Sequence, residues 1–145
     1  MAEWFDLDGD SPYMLLEDLV KGDKRRTMTA EEDALFGIEK LNIKRSDIPA
    51  VTHIDYSARI QTVHEDTNPQ YHALITAFKE RTGCPLVVNT SFNVRGEPIV
   101  HTPEDAFRCF MGTGVEHLTV GRCILRKEDQ DQTLAENYKD KYELD

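Results

Sequence analysis

The sequence contains no apolar run near the roughly 20 residues that a helix needs to cross a bilayer. Its first six residues lack both the basic region and the apolar core of a secretion signal. We therefore expect a soluble, cytoplasmic protein without a membrane partner. Cysteine is also scarce, with three residues in the chain. Cys84, Cys109 and Cys123 lie 25 and 14 positions apart, and this spacing matches no zinc-ligand pair. Free, mostly buried thiols are the expectation.

Positive charge is in short supply as well. The formal net charge of −10 argues against the broad positive field that non-specific nucleic-acid binding requires, so we expect no nucleic-acid partner. The charge is uneven: residues 1–48 carry −5, residues 126–145 carry −3, and the 77 residues between them carry −2. An anion site in the middle of the chain would therefore not oppose the global charge.

The sequence does contain alternating helix and strand patterns in a chain long enough for one domain with one core. Strand patterns fall at residues 13–16, 49–52, 58–63, 86–88 and 117–125. Helix patterns cover residues 30–41, 69–82 and 103–111, with Thr29, Asn68 and Thr102 as N-caps. This order predicts an α+β (mixed α/β) fold with a twisted, largely mixed sheet and flanking helices. Residues 128–145 are acid-rich and aperiodic, so we expect a frayed helix or a mobile tail.

The loop that follows the predicted strand 86–88 carries the residue types of an anion site. Ligands prefer the carboxyl ends of strands in open α/β sheets. Arginine can donate two parallel hydrogen bonds to a phosphate, hydroxyls can add donors, and glycine permits close backbone approach. An ordinary polar loop, in which Asn89 and Asn93 satisfy the turn backbone, is the alternative. The candidate residues of this loop are Asn89, Thr90, Ser91, Asn93, Arg95 and Gly96.

A second polar cluster precedes this loop in the sequence. Its polar residues occupy every second position, which could place them on one face of an extended segment; they are His53, Asp55, Ser57 and Arg59. Arg59 could help to hold a phosphate, or it could simply form an ion pair with Asp55. Two metal ligands, His53 and Asp55, are a further alternative, but no third ligand is near them in the sequence.

The acidic opening, residues 6–12, resembles the start of a calcium-binding EF-hand but lacks the glutamate required at the twelfth position. A turn explains this segment better, since it combines three acids with a glycine and a proline. We therefore predict no metal site within the chain.

Two long motifs resemble signatures of the NodU-type carbamoyltransferase family. The first is Ile48-Pro-Ala-Val-Thr-His-Ile-Asp-Tyr-Ser-Ala-Arg-Ile-Gln-Thr-Val63, and the second is Gly83-Cys-Pro-Leu-Val-Val-Asn-Thr-Ser-Phe-Asn-Val-Arg-Gly-Glu-Pro-Ile-Val100, followed by Thr102-Pro-Glu-Asp-Ala106. The resemblance covers about residues 2–128 and leaves 129–145 as an acidic tail. Two such motifs in register are more specific than a short fingerprint.

The resemblance implies a YrdC-like C-terminal domain that binds carbamoyl phosphate and ATP, a co-substrate, and forms carbamoyl adenylate with release of pyrophosphate. In the family, an actin-like N-terminal domain binds a metal and transfers the carbamoyl group to a small-molecule hydroxyl. Arg59, Asn89 and Arg95 match positions expected to contact carbamoyl phosphate or the nucleotide. Ser57 and Ser91 are further candidates.

Two departures from the family pattern bear on activity. The sequence lacks the actin-like domain and also the family's Phe-Gly-Pro-Arg-Ala segment, so we expect an N-terminally truncated domain that cannot complete carbamoyl transfer alone. A non-catalytic module that docks onto an actin-like-fold domain or subunit is the alternative. A role in threonylcarbamoyl chemistry on transfer RNA is not favoured, because no basic stripe is present.

Overall fold

A computed structural model of the chain describes residues 1–135 and divides it into two compact units, Met1–Val88 and the residues from Asn89 onward. Each unit has its own buried hydrophobic cluster. The chain therefore has two small cores in place of the single core predicted.

The first unit is built around two antiparallel strands, β1 (Leu16–Leu19) and β2 (Ser57–Ile60). Ala58 and Ile60 of β2 are buried together with Phe5 and Val20, and these four side chains form the cluster. Because side chains alternate across a strand, Ser57 and Arg59 share the opposite face of β2.

The strand predicted over residues 13–16 is wrong, since β1 begins only at Leu16. Tyr13 is 79% exposed, and Met14 adopts a positive φ of 56°, which breaks an extended conformation. The strand predicted over residues 49–52 is also wrong, because that segment forms a turn. β2 lies within the predicted range 58–63 but begins at Ser57 and ends at Ile60.

The single helix predicted over residues 30–41 is two short helices, α1 (Ala30–Asp33) and α2 (Ile38–Leu41). The predicted capping box is confirmed, because Thr29 and Glu32 exchange backbone and side-chain hydrogen bonds. Gly37 interrupts the helix with a φ of 61°, a conformation that right-handed helices exclude.

The helix predicted over residues 69–82 is confirmed as α3 (Pro69–Thr82). Asn68 accepts a hydrogen bond from the Tyr71 backbone N–H at 3.2 Å, and Gly83 ends the helix in the left-handed region. None of its residues is buried, although its sequence carries an apolar stripe.

The strand predicted over residues 86–88 is wrong, because no described strand pairs with this segment. Val88 is 60% exposed, so the apolar run is not enclosed on both faces. Strand conformation depends on a neighbour that donates and accepts hydrogen bonds, and short apolar runs do not specify that neighbour.

The second unit combines α4 (Pro103–Gly112) with a hairpin of β3 (His117–Val120) and β4 (Cys123–Arg126). The helix and its Thr102 cap are confirmed, whereas the strand predicted over 117–125 is a hairpin that turns at Gly121, where φ is 58°. The buried cluster of this unit consists of Ala106, Phe110, Met111 and Leu118.

Helices and small antiparallel sheets together confirm the predicted α+β class. The described sheets are two separate antiparallel pairs. Single 3-10 turns follow β4 at Lys127–Asp129 and Gln132–Leu134, and the rest of the predicted acidic tail, residues 136–145, lies outside the described residues. No helix in residues 1–135 is both long and apolar enough to cross a membrane.

Candidate anion-binding site

A buried arginine supports the turn that leads into the first motif. Arg45 is 2% exposed, and its guanidinium donates to the carbonyl oxygens of Thr52, at 3.1 Å, and Lys40. Within residues 1–135 no carboxylate pairs with it, and its Nε has no hydrogen-bond partner. The buried hydroxyls of Ser46 and Thr52 lie 2.6 Å apart beside it. This polar cluster fixes the backbone just before His53.

The next residues form a tight loop rather than an extended strand. The backbone N–H of His53 donates to the Ser57 carbonyl oxygen at 2.8 Å, and that of Tyr56 donates to the His53 carbonyl oxygen at 3.1 Å. Tyr56 has a φ of 67°, which costs a residue with a side chain on the order of 1–3 kcal/mol. The one-face extended arrangement predicted for residues 53–59 is therefore wrong, because the backbone reverses before β2.

The loop nevertheless brings three of the predicted polar side chains together. Asp55 Oδ1 accepts hydrogen bonds from the backbone N–H of Ser57 at 3.0 Å and from Ser57 Oγ at 2.7 Å. These bonds, the hydroxyl's first, lower the pKa of Asp55. His53 Nδ1 lies 2.9 Å from the same hydroxyl. Ser57 is buried, whereas the other two residues are exposed.

Arg59 is exposed and lies two residues beyond Ser57 on the same face of β2. Its side chain makes no hydrogen bond or ion pair with any described residue, so the ion pair considered with Asp55 is absent. Glu17 is the cross-strand neighbour of Arg59 on β1. The guanidinium is thus uncommitted and can donate to a ligand.

The loop of the second motif, from Asn89 onward, lies in the second unit and does not follow a strand, since residues 86–88 are not one. Its predicted donors are exposed to solvent: Asn89, Thr90, Ser91, Arg95 and Gly96. The structure therefore places Arg59 and this loop in different units. Within the loop, the hydroxyls, the guanidinium and the glycine backbone are accessible to a ligand.

Asn93 differs from these residues because it stabilises the loop itself. Its Nδ2 donates to the carbonyl oxygens of Val94 and Glu97, both at 3.0 Å. The Glu97 backbone N–H also donates to the Val94 carbonyl oxygen at 3.0 Å, and Gly96 provides the φ of 82° that the turn needs. Asn93 Oδ1 is buried without a partner in the described chain. Asn93 therefore fits the alternative of an ordinary polar loop, in which its side chain satisfies the backbone of the turn.

A buried thiol borders the same turn. Burial raises the pKa of Cys109, and the charge of Glu97 and a hydrogen bond with it raise that pKa further. Such a thiol stays neutral and unreactive at physiological pH. All three cysteines are free, as predicted, although only Cys109 is fully buried.

Two other potential sites contribute little to anion binding. A groove in the second unit is lined by side chains of mixed charge, namely Glu116, His117, Arg126, Lys127, Glu128 and Gln132. None of the predicted site residues lines this groove. The part of the chain that the structure describes holds no cluster of three or more His, Cys, Asp or Glu residues suited to a metal ion.

Sequence patterns missed the burial of Arg45 and the contact that holds the His53 ring. Arg45 gave no signal, because a burial of this kind depends on carbonyl groups supplied by the folded turn. The position of the His53 ring could have been inferred in part, since Asp55-Tyr56-Ser57 fits a turn in which an aspartate side chain accepts a hydrogen bond from the backbone N–H two residues later.

Comparisons with known proteins show the family to which the chain belongs. The family model described as "Carbamoyltransferase C-terminus" matches residues 1–127. An uncharacterised protein of Synechocystis sp. is 51% identical over 100% of this chain and 24% of its own length. "Nodulation protein NolO" of Bradyrhizobium diazoefficiens is 44% identical over 63% of this chain and 17% of its own length.

A 3'-hydroxymethylcephem-O-carbamoyltransferase of Amycolatopsis lactamdurans is 40% identical over 52% of this chain and 15% of its own length. The chain thus spans at most 24% of the length of these three relatives. Since the family model covers nearly the whole described chain, this protein belongs to the carbamoyltransferase C-terminus family.

Proposed function

We propose that this chain binds carbamoyl phosphate and ATP and supports formation of carbamoyl adenylate. Arg59 and Arg95 hold phosphate oxygens, and Asn89 orients the carbamoyl amide or a phosphate. Thr90 and Ser91 donate their hydroxyls, and Gly96 lets the backbone approach the ligand. Ser57 and Asn93, which were predicted to bind substrate directly, act by shaping the two loops.

The observation that supports this proposal most is the state of Arg59. An exposed guanidinium without a partner among residues 1–135 lies beside a strained polar loop, in a family named for carbamoyl transfer. Strained backbone concentrates at functional sites. Fixed guanidinium groups suit adenylation, because negative charge develops on the departing pyrophosphate.

The chemistry balances if water first converts carbamoyl phosphate to carbamate and phosphate. A carbamate oxygen then attacks the α-phosphorus of ATP, forming a new P–O bond and displacing pyrophosphate. The protein forms no covalent intermediate in this sequence. Transfer of the carbamoyl group to a hydroxyl acceptor is then assigned to the polypeptide that the relatives have outside the matched region.

The test measures pyrophosphate released when the purified chain meets Mg²⁺-ATP, carbamoyl phosphate, or both. We expect release only with both substrates and its loss in Arg59→Ala. Arg122→Ala, an exposed arginine in the hairpin turn, is the matched control and should behave as the parent does. Absence of carbamoyl-phosphate binding to the parent chain would overturn the proposal.

A second candidate function is favoured by the unburied apolar side chains of the first unit. Helix α3 buries no residue, and Leu74 and Phe78, one turn apart, are 59% and 40% exposed. Phe36, between α1 and α2, is 92% exposed. Such surfaces are typical of docking sites. In this second proposal, the chain is a module that binds a polypeptide equivalent to the part of its relatives that lies outside the matched region.

Docking can be tested with the part of the Synechocystis relative that lies outside the match. We expect the parent chain to bind it and Leu74→Lys/Phe78→Lys to lose binding. Thr76→Lys/Glu80→Lys, on the opposite side of α3, adds lysines at exposed positions and should retain it. Equal binding by the two double variants would contradict a docking role for α3.

A further inference from the structure

The loop before β2 fixes which nitrogen of His53 carries a proton. Ser57 Oγ has one hydrogen to donate and lies 2.7 Å from Asp55 Oδ1, which can only accept while the carboxyl is ionised. The hydroxyl therefore donates to Asp55 and must accept from His53 Nδ1 at 2.9 Å. His53 accordingly carries its proton on Nδ1, and in the neutral ring Nε2 is an acceptor.

His53 Nε2 is also available. The residue is exposed, and Nε2 makes no hydrogen bond to any residue that the structure describes. The ring is held at Nδ1 by the buried Ser57, so little rotational freedom remains to be lost when a ligand binds. A fixed acceptor of this kind selects a ligand that presents an N–H group.

We propose that His53 Nε2 accepts a hydrogen bond from the amide of the carbamoyl group while Arg59 holds the phosphate of the same ligand. His53 is then a specificity-determining residue, and Ser57 and Asp55 are positioning residues that act through it. The proposal rests on the proposed function and adds to it a means of distinguishing a carbamoyl from an acetyl group.

The loop holds His53 against Ser57, two residues before Arg59 in β2. Ser57, which contacts His53, and Arg59 share one face of the strand, and residues two apart in a strand lie about 7 Å from each other. Carbamoyl phosphate presents its amide and its phosphate at opposite ends. The Asp55 carboxylate in the same loop does not oppose an N–H donor at His53.

Other roles for this cluster fit the contacts less well. In a nucleophilic triad the histidine lies between the hydroxyl and the carboxylate. Here the Ser57 hydroxyl lies between His53 and the Asp55 carboxylate. A metal role is also disfavoured, since His53 and Asp55 have no third ligand among the described residues.

Two stable phosphonates provide the test, because they differ only at the group that His53 would recognise. Phosphonoacetamide ends in an amide, and acetonylphosphonate has a methyl group in place of the amide NH2 group. Calorimetric titration of the parent chain should show tighter binding of the amide. His53→Ala should weaken binding of the amide about five- to tenfold, the worth of one hydrogen bond, and leave acetonylphosphonate binding within about twofold.

Additional variants separate recognition from folding. His53→Gln keeps an acceptor near the position of Nε2 and should retain part of the preference, and Ser57→Ala releases the ring and should reduce it. If the parent binds both phosphonates and His53→Ala keeps the amide preference, the inference is overturned while the proposed function stands. If the parent binds neither phosphonate, both are overturned.

Discussion

Arg45 and Arg59 lie 14 positions apart and occupy opposite environments. Arg45 is buried and bonded to backbone carbonyl oxygens, whereas Arg59 is exposed and without a partner in the described chain. The first arginine therefore contributes to stability, and the second is free to bind a ligand. Arg59 could be predicted from its motif, but the role of Arg45 could not, because its partners exist only in the folded turn.

Replacement of Arg45 tests this division at the residue scale. Arg45→Met removes the donor to the buried Thr52 carbonyl oxygen and one of the donors to the Lys40 carbonyl oxygen, and we expect a loss of about 2 kcal/mol in the free energy of unfolding. Urea denaturation measures it. Arg122→Met removes an equal charge from an exposed position and should change stability little. Equal stability of the two variants would show that the Arg45 hydrogen bonds are not stabilising.

At the element scale, the three predicted helix N-caps are confirmed, whereas most of the predicted strand bounds are wrong. The caps at Asn68 and Thr102 depend on residues within one turn, so the sequence contains all the necessary information. Strands depend on distant partners, which is why residues 86–88 are not a strand despite their composition. The same limit applies to the candidate site, whose residue types were predicted while the reversal at Tyr56 was not.

The Thr102 cap of α4 gives an element-scale prediction. Thr102 Oγ1 accepts from the backbone N–H of Asp105 at 3.1 Å and donates to its carboxylate at 2.8 Å. Thr102→Val should cost about 1 kcal/mol of unfolding free energy at neutral pH through loss of this N-cap. Chemical denaturation measures the cost. Thr119→Val, at an exposed position of β3, is the matched control.

The same cap predicts a pH dependence. The hydroxyl of Thr102, first among several hydrogen bonds, lowers the pKa of Asp105 below its usual 3.8. A carboxyl whose pKa is lower in the folded state than in the unfolded state stabilises the fold at pH values above the unfolded-state pKa. This stabilisation is lost as the pH falls through the folded-state pKa. The difference in stability between parent and Thr102→Val should therefore narrow from pH 7 toward pH 3. A difference that is constant over this range would contradict the assigned bond.

Two separate cores distinguish the whole molecule from the single core predicted, and they should respond separately to damage. Phe110 is fully buried in the second unit, and Phe110→Ala should cost about 3–5 kcal/mol there. Amide hydrogen exchange should show lost protection in α4, β3 and β4 while β1 and β2 stay protected. Phe36→Ala, at an exposed position, is the control, and equal loss in β1 and β2 would contradict two independent cores.

At the scale of the whole molecule, the central claim is that Arg59 and Arg95, which lie in different units, both bind carbamoyl phosphate. Calorimetric titration with carbamoyl phosphate tests it most directly, using Arg59→Ala, Arg95→Ala and the control Arg122→Ala. Loss of a charge-assisted hydrogen bond predicts at least about tenfold weaker binding for each of the first two variants and unchanged binding for the control. If Arg59→Ala and Arg95→Ala bound carbamoyl phosphate as tightly as the parent chain, the site assignment would be wrong.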